Sequence, residues 1–291
     1  MSTNAQFEAA KARFAAIGAA EQHLVGPAGE SIALVHEGPA AQCVVLLHGL
    51  TASPRQFLAF GERLFKRGHN VLIPRLPLHG HGDRMTDALH DLSPEALRAT
   101  VSETLASATH MGASVTVIGF SLGGLLAAWA AQRHPEIALA MCISPFVGVN
   151  HVPRRVGRVL ARVALRFRNR FVWWNPVRRE RLTPLHGYPR YPTHAIARLY
   201  LFAEEILREA ERNAPAALRV LLVRNRREVA VNLADIETLA ALWRRNAPGR
   251  VLLHDLDDLP ASHDIIEAER DLPVRELVYP QLERLIDEAQ L

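Results

Sequence analysis

Six short apolar runs recur along the chain with helical stretches between them. They are CVVLLH (43–48), NVLIPR (70–75), SVTVIGF (114–120), IALAMCIS (137–144), RVLLV (219–223) and RVLLHDL (250–256). Most are continuously apolar rather than alternating with polar residues, so they read as strands buried on both faces. Helical patterns fall between them: Pro54 to about Arg67, Ser93 to about His110, Leu122 to Arg133, about 233–246 and about 273–287. Ser93 is an N-cap residue and Pro94 suits the first helical turn. SIALVHE (31–37) adds an early strand, and residues 5–20 a short amphipathic helix. This succession predicts an α/β fold with a mostly parallel sheet covered on both faces. Sheets of that kind place their sites at the carboxyl ends of the strands.

GFSLGG (119–124) lies at one of those ends. It directly follows a buried strand and directly precedes a helix, the context a strained nucleophile turn requires. Glycines at 119 and 123 relieve the crowding of such a turn. Ser121 then stands at a helix N-terminus, which favours developing negative charge. Leu47-His48-Gly49-Leu50-Thr51 ends the first buried strand. An acyl-transfer oxyanion needs two preorganised N–H donors, and the backbone amides of Leu50 and Leu122 are the expected pair.

A serine of ordinary basicity needs a general base. The chain has 14 histidines, so position must choose among them. His263, in PASHD (260–264), lies between the last strand and the last helix and is the expected base. His254 falls within a strand and reads as structural. His48, His79 and His81 belong to other loops. The acid that orients the base is expected after the 219–223 strand. Glu228 is the carboxylate in that loop, with Asp235 and Asp258 as alternatives. His79, His81 and Asp83 are too few ligands for a metal site. Cys43 and Cys142 lie in mid-strand, away from any nucleophile turn, and read as buried thiols of a reducing, cytoplasmic compartment.

These motifs, in the chain order serine, acid, histidine, resemble the α/β-hydrolase family, and within it bacterial carboxylesterases and monoacylglycerol-lipase-like serine hydrolases. HGLT (48–51), GFSLGG, PRLPLHGHGD (74–83) and ASHDII (261–266) carry the resemblance. In that family the acid loop usually reads as an aspartate with Val three residues later; here Glu228 and Val231 occupy those places. The resemblance implies ester hydrolysis by Ser121, Glu228 and His263 with no cofactor and no metal. It also implies a core of residues 1–146 and 213–291 carrying a helical cap at 147–212. The same residues would serve a thioesterase or an acyltransferase, and a non-catalytic binding protein could share the fold. A dehalogenase would need an aspartate at 121.

The net charge of +4 is unevenly distributed. Residues 151–200 hold 12 arginines against the single acid Glu180, so the rest of the chain is net negative. In PRRVGRVLARVALRFRNRFVWW (153–174), Arg154, Arg158, Arg162 and Arg166 repeat every fourth residue, and Val156, Val159, Leu160, Val163 and Phe167 recur opposite them. This is an amphipathic helix with an arginine face, whose apolar side is expected over the acyl pocket. Its arginines are read as solvated surface, as a peripheral contact with anionic lipid, or as a mate for an anionic group on the substrate. PLHGYPRYPTHA (184–195) reads as a loop and 196–212 as a helix. No nucleic-acid motif accompanies the charge. The expected partner is a small-molecule ester with an apolar acyl group. No run reaches the ~18 apolar residues of a membrane span, and the N-terminal stretch lacks the apolar core of a signal peptide.

Overall fold

The computed structural model describes residues 3–177, 186–269 and 273–290. Its elements in chain order are α1 (Asn4–Ala16), β1 (Ile32–Leu34), β2 (Ala40–Leu47), α2 (Leu58–Lys66), β3 (Asn70–Ile73), α3 (Pro94–Ala108), β4 (Gly112–Phe120), α4 (Leu122–Arg133) and β5 (Ile137–Ile143). There follow α5 (Arg154–Ala164), β6 (Phe171–Trp173), β7 (Arg190–Pro192), α6 (Thr193–Arg212), β8 (Arg219–Asn225), α7 (Leu233–Asn246), β9 (Val251–Leu256), α8 (Val274–Leu277) and α9 (Tyr279–Gln290).

Among the described residues, seven strands form one sheet in the order β1-β3-β2-β4-β5-β8-β9. All neighbours are parallel except β1, which runs antiparallel to β3. The β2–β4 register pairs Leu47 with Gly119, so the HGLT loop and the GFSLG turn leave the sheet side by side. Alternate strand residues feed two cores, as the period-2 geometry of a strand demands. Val45, Leu47, Val115 and Val117 face a layer that includes α1, α3, α4, α6 and α7. Val44, Leu46, Ile118 and Phe120 face α2 and α9. Helix α4 is buried from Leu122 to Gln132, so it has no polar face to show in its sequence. Ser93 caps α3 by accepting from the Ala96 amide at 3.2 Å.

The strands and helices expected from the apolar runs are present, with ends shifted by a few residues. The last helix is split into α8 and α9. Residues 190–192, read as loop, instead form β7, antiparallel to β6. Three-residue strands ending in Pro192 carry no periodicity to read. The pair is held by side chains: Arg190 lies over the Phe171 ring at 4.5 Å, and Trp174 packs on Tyr191 at 4.2 Å. Glu180, several of the counted arginines and the start of the 184–195 stretch lie outside the described residues.

Helix α5 differs from expectation in what it turns outward. Gly157 and Ala161 are its buried residues. A Cβ on Gly157 would sit 2.4 Å from the Tyr200 hydroxyl of α6. Arg154 and Arg158 point the same way, each 3.6 Å from the buried carboxylate of Glu204. The apolar row Val156, Val159, Leu160 and Val163 is therefore exposed rather than laid over a pocket, and Phe167 is 69 % exposed. The small-residue stripe and the buried acid attract the side of the helix that carries Arg154 and Arg158, and the larger apolar residues are left outside.

Candidate active site

Ser121 occupies the tip of the turn between β4 and α4 with φ 55° and ψ −110°. This backbone conformation is sparsely populated for a residue with a side chain and costs about 1–3 kcal/mol. The surrounding glycines hold it there. A Cβ on Gly119 would lie 1.9 Å from the Gly123 carbonyl oxygen, and one on Gly123 would lie 1.8 Å from that of Leu47. The Ser121 amide donates to the Ile143 carbonyl at 3.0 Å, and its own carbonyl accepts from Leu125 and Phe146. The turn thus has no slack, and the hydroxyl is presented at the carboxyl end of the sheet.

The structure brings Ser121, His263 and Glu228 together. Ser121 Oγ and His263 Nε2 are 2.9 Å apart, and His263 Nδ1 and Glu228 Oε1 are also 2.9 Å apart. The ring of His263 lies against Phe120, with centroids 4.9 Å apart. Glu228 Oε1 also accepts from the amides of Val229 and Ala230, each at 2.8 Å. Two amides and an imidazole therefore fix the longer glutamate side chain. Burial pushes its carboxyl up, but the hydrogen bond and attraction of His263 and the bond from the Ala230 amide outweigh it, with Ser144 adding to them, and hold the group below the usual carboxylate range. Val231 is buried and bridges to Val149, which fixes the end of the acid loop.

The other candidates fall elsewhere. Asp235 is buried in the first turn of α7, where burial pushes its carboxyl up to about 6 against the pull of Arg154, with Glu204 adding to the rise. Asp258 is exposed on the loop after β9. His48 is fully buried and accepts from the Leu76 amide at Nε2, 3.1 Å away. His79 donates through Nδ1 to the Pro77 carbonyl at 2.8 Å. Glu21 accepts from the Leu78 amide and from the buried Arg75, and His81 Nε2 lies 3.6 Å from it. The GHG loop is thereby a structural network that pins the N-terminal segment. Cys43 and Cys142 are buried free thiols, and burial pushes both up.

Leu50 lines the space beside Ser121, and Leu122 follows Ser121 as the first, buried residue of α4. Among the described residues neither backbone amide donates a hydrogen bond, which leaves two N–H groups available to an incoming oxygen. Ser121 and Leu50 line a cavity of about 490 Å³, with Leu50, Ala52, Phe120, Trp174, Val229 and Ala230 as its apolar walls. That volume suits a small organic molecule. The segment between β5 and β8 contributes Trp174, His186 and Gly187, and helix α5 contributes nothing.

Two buried amide side chains escaped the sequence reading. Gln56 Oε1 accepts from the Gly49 amide at 2.8 Å while its Nε2 donates to Asp264 at 3.2 Å. It ties the loop of Leu50 to the loop of His263. Asn225 accepts from the Arg227 amide and donates to the carbonyls of Pro260 and Ser262 at 2.8 and 3.0 Å. It ties the acid loop to the histidine loop. Trp174 Nε1 donates to Thr51 at 2.8 Å, and the Tyr188 amide donates to the Thr51 carbonyl. Such stitches join residues far apart in sequence, so no local pattern announces them.

Comparisons with known proteins agree with this architecture. A family model described as the alpha/beta hydrolase family matches residues 44–288. A thermostable monoacylglycerol lipase of Bacillus sp. (strain H-257) is 31 % identical over 108 residues, 36 % of this chain and 41 % of the lipase. The match thus spans less than half the length of that relative. Among solved structures, a monoacylglycerol lipase of Paleococcus ferrophilus superposes with a TM-score of 0.66 at 20 % identity, covering 88 % of this chain and 98 % of that one. A metagenome-derived lipolytic enzyme also scores 0.66, at 22 % identity, over 91 % of this chain and 99 % of its own. At these identities the structural likeness is one of fold.

Proposed function

The chain belongs to the α/β-hydrolase family, and from that premise we propose that it cleaves carboxylic esters through an acyl-serine intermediate, as a carboxylesterase or monoacylglycerol-lipase-like enzyme. The observation that carries this reading is the hydrogen-bonded chain Ser121–His263–Glu228 at the wall of an apolar cavity. His263 Nε2 takes the proton of Ser121 as Oγ attacks the ester carbonyl. The amides of Leu50 and Leu122 receive the oxyanion of the tetrahedral intermediate. His263 then protonates the departing alcohol, and activates the water that releases the acid. Glu228 holds the ring with Nδ1 protonated and stabilises the imidazolium that forms at each transfer. The strained turn fixes the nucleophile before substrate arrives, so little reorganisation is left for the reaction itself.

Residues 147–212 act in this reading as a cap on a core of 1–146 and 213–291. Trp174 and the backbone of Tyr188 anchor the cap to Thr51, next to the oxyanion amides. The exposed apolar row of α5, flanked by Arg155, Arg162 and Arg166, suits peripheral contact with an anionic lipid surface from which an acylglycerol could be drawn. Among the described residues no helix is long and apolar enough to cross a membrane. The unpaired thiols fit a cytoplasmic setting.

A series of p-nitrophenyl esters and monoacylglycerols of increasing acyl length tests the reading, with Ser121→Ala beside the native chain. Hydrolysis is expected to fall about 10⁴-fold or more in the variant. Full activity in Ser121→Ala overturns the mechanism, and a strict preference for short acyl chains overturns the lipase-like part of it.

A further inference from the structure

A second cluster of reactive side chains lies on the wall of the same cavity, outside the Ser121–His263–Glu228 chain. His186, just before β7, and Glu267, after His263, are both buried and both line the cavity. Glu269 stands beside them, half-exposed. One nitrogen of His186 and a carboxylate oxygen from each glutamate all lie within 4.8 Å of one another.

The proton on His186 can be located from its neighbours. Ser53 has a single hydroxyl hydrogen, and it is donated to the Ala28 carbonyl, which can only accept, at 3.0 Å. Ser53 Oγ also lies 3.1 Å from His186 Nδ1. With that hydrogen given to Ala28, Ser53 accepts from His186, and Nδ1 carries the N–H. In the neutral ring Nε2 then presents a lone pair.

That lone pair faces negative charge. Nε2 is 2.9 Å from Glu267 Oε2 and 4.0 Å from Glu269 Oε2. At 2.9 Å a proton on Nε2 would be expected to make a good hydrogen bond, yet the ring is not aligned for one, and the buried nitrogen has no hydrogen-bond partner. A lone pair and two carboxylates converging in this way form a pocket of negative potential that a cation would fill. Ligand atoms around a four-coordinate zinc-sized ion lie about 3.3 Å apart, and the two separations bracket that value. The remaining bonds also fit. Glu267 Oε1 is turned away to accept from the Glu269 amide at 3.1 Å. Glu269 Oε1 is engaged by Arg55 at 3.3 Å. The Oε2 atoms are the ones left facing the histidine. The Nδ1–H bond to Ser53 is the outer hydrogen bond that metal-binding histidines characteristically make.

We propose that His186, Glu267 and Glu269 bind a divalent cation of the zinc class, which ties the segment before β7 to the loop after β9 across the wall of the cavity. One imidazole nitrogen and two carboxylates favour Zn²⁺ over Ca²⁺ or Mg²⁺, which prefer all-oxygen shells. Three protein ligands leave a coordination position for water. The ion would neutralise the two carboxylates and clamp His186 in place. This departs from the expectation, drawn from His79, His81 and Asp83, that no metal is involved. It is independent of the proposed hydrolysis, because its readout is binding of the ion.

The test is calorimetric titration of ZnCl₂ into EDTA-dialysed full-length protein, repeated with Glu269→Gln and His186→Ala. Circular dichroism checks the fold of each. Native protein is expected to bind one equivalent saturably, with a raised melting temperature. Glu269→Gln, a change on a half-exposed side chain that leaves the packing alone, is expected to weaken binding about tenfold or more. His186→Ala is expected to abolish it. Absence of saturable binding to the native chain, or undiminished affinity in either variant, overturns the proposal.

Discussion

The turn at Ser121 and helix α5 both use small residues to bring chain segments close, and they differ in what is approached. At the turn, backbone meets backbone: Gly123 abuts the Leu47 carbonyl and Gly119 abuts that of Gly123. On α5, Gly157 abuts a side chain, the hydroxyl and adjoining ring carbons of Tyr200. Peptide groups held in a strand and in the first turn of a buried helix cannot retreat, whereas a side chain can shift. The first region therefore fixes a reactive atom to a fraction of an ångström, and the second fixes only which side of a helix faces inward. Chemistry is proposed for the region without slack, and surface contact for the region with it.

The largest expected effect lies on the rigid side. Glu228→Gln keeps the shape of the side chain and removes the charge that stabilises imidazolium. It is expected to lower kcat about 10³- to 10⁴-fold with the fold intact, measured by steady-state ester hydrolysis beside a thermal melt. Unchanged kcat would move the orienting acid away from Glu228.

Next comes a direct comparison of glycines. Gly123→Ala forces a Cβ into a carbonyl oxygen and is expected to destabilise the chain by about 3 kcal/mol or more, or to prevent folding. Gly157→Ala presses a Cβ on the buried Tyr200 ring, whose hydroxyl donates to the Arg154 carbonyl, but gains helix propensity, so a smaller loss of about 1–2 kcal/mol is expected. Denaturant unfolding of the two variants measures both. Equal losses would erase the distinction between the regions.

A smaller effect sits beside α5, where Arg154 and Glu204 act on Asp235. Asp235 titrates near 6 when folded, against 3.8 for the free group. Between those values the folded state holds a proton that the unfolded state has released. Stability therefore falls as pH rises through this window, and the loss is complete above about 6. Asp235→Asn is expected to flatten that slope in melts from pH 4 to 7. An unchanged slope would mean that Asp235 is not the group responsible.

The smallest stability change belongs to α5. Replacing the exposed Val159 and Leu160 by Ser is expected to shift stability by no more than about 0.5 kcal/mol per site while reducing co-sedimentation with anionic vesicles. A large loss of stability would show that this face packs against something within the chain.

The sheet was legible because buried parallel strands announce themselves as continuous apolar runs, and the helices between them carry caps such as Ser93 and Pro94. That Ser121, His263 and Glu228 would meet was legible because the turn needs Gly119 and Gly123 and because the chain order limits where a base and an acid can fall. Glu228 was the harder choice; its amide bonds from Val229 and Ala230 exist only once the loop is folded. The orientation of α5 was not legible, because its periodicity gives two faces without saying which one a buried Glu204 will attract. Gln56 and Asn225 read as ordinary polar residues, since each acts by joining loops that meet only in three dimensions. Strands β6 and β7 are too short for any period.

The most direct measurement is covalent labelling with a fluorophosphonate, read by intact mass and peptide mapping. The native chain is expected to gain one phosphonyl group, on Ser121, and Ser121→Ala to gain none. A native chain that stays unlabelled, or a label mapping to another residue, would contradict the assignment of Ser121 as the activated nucleophile.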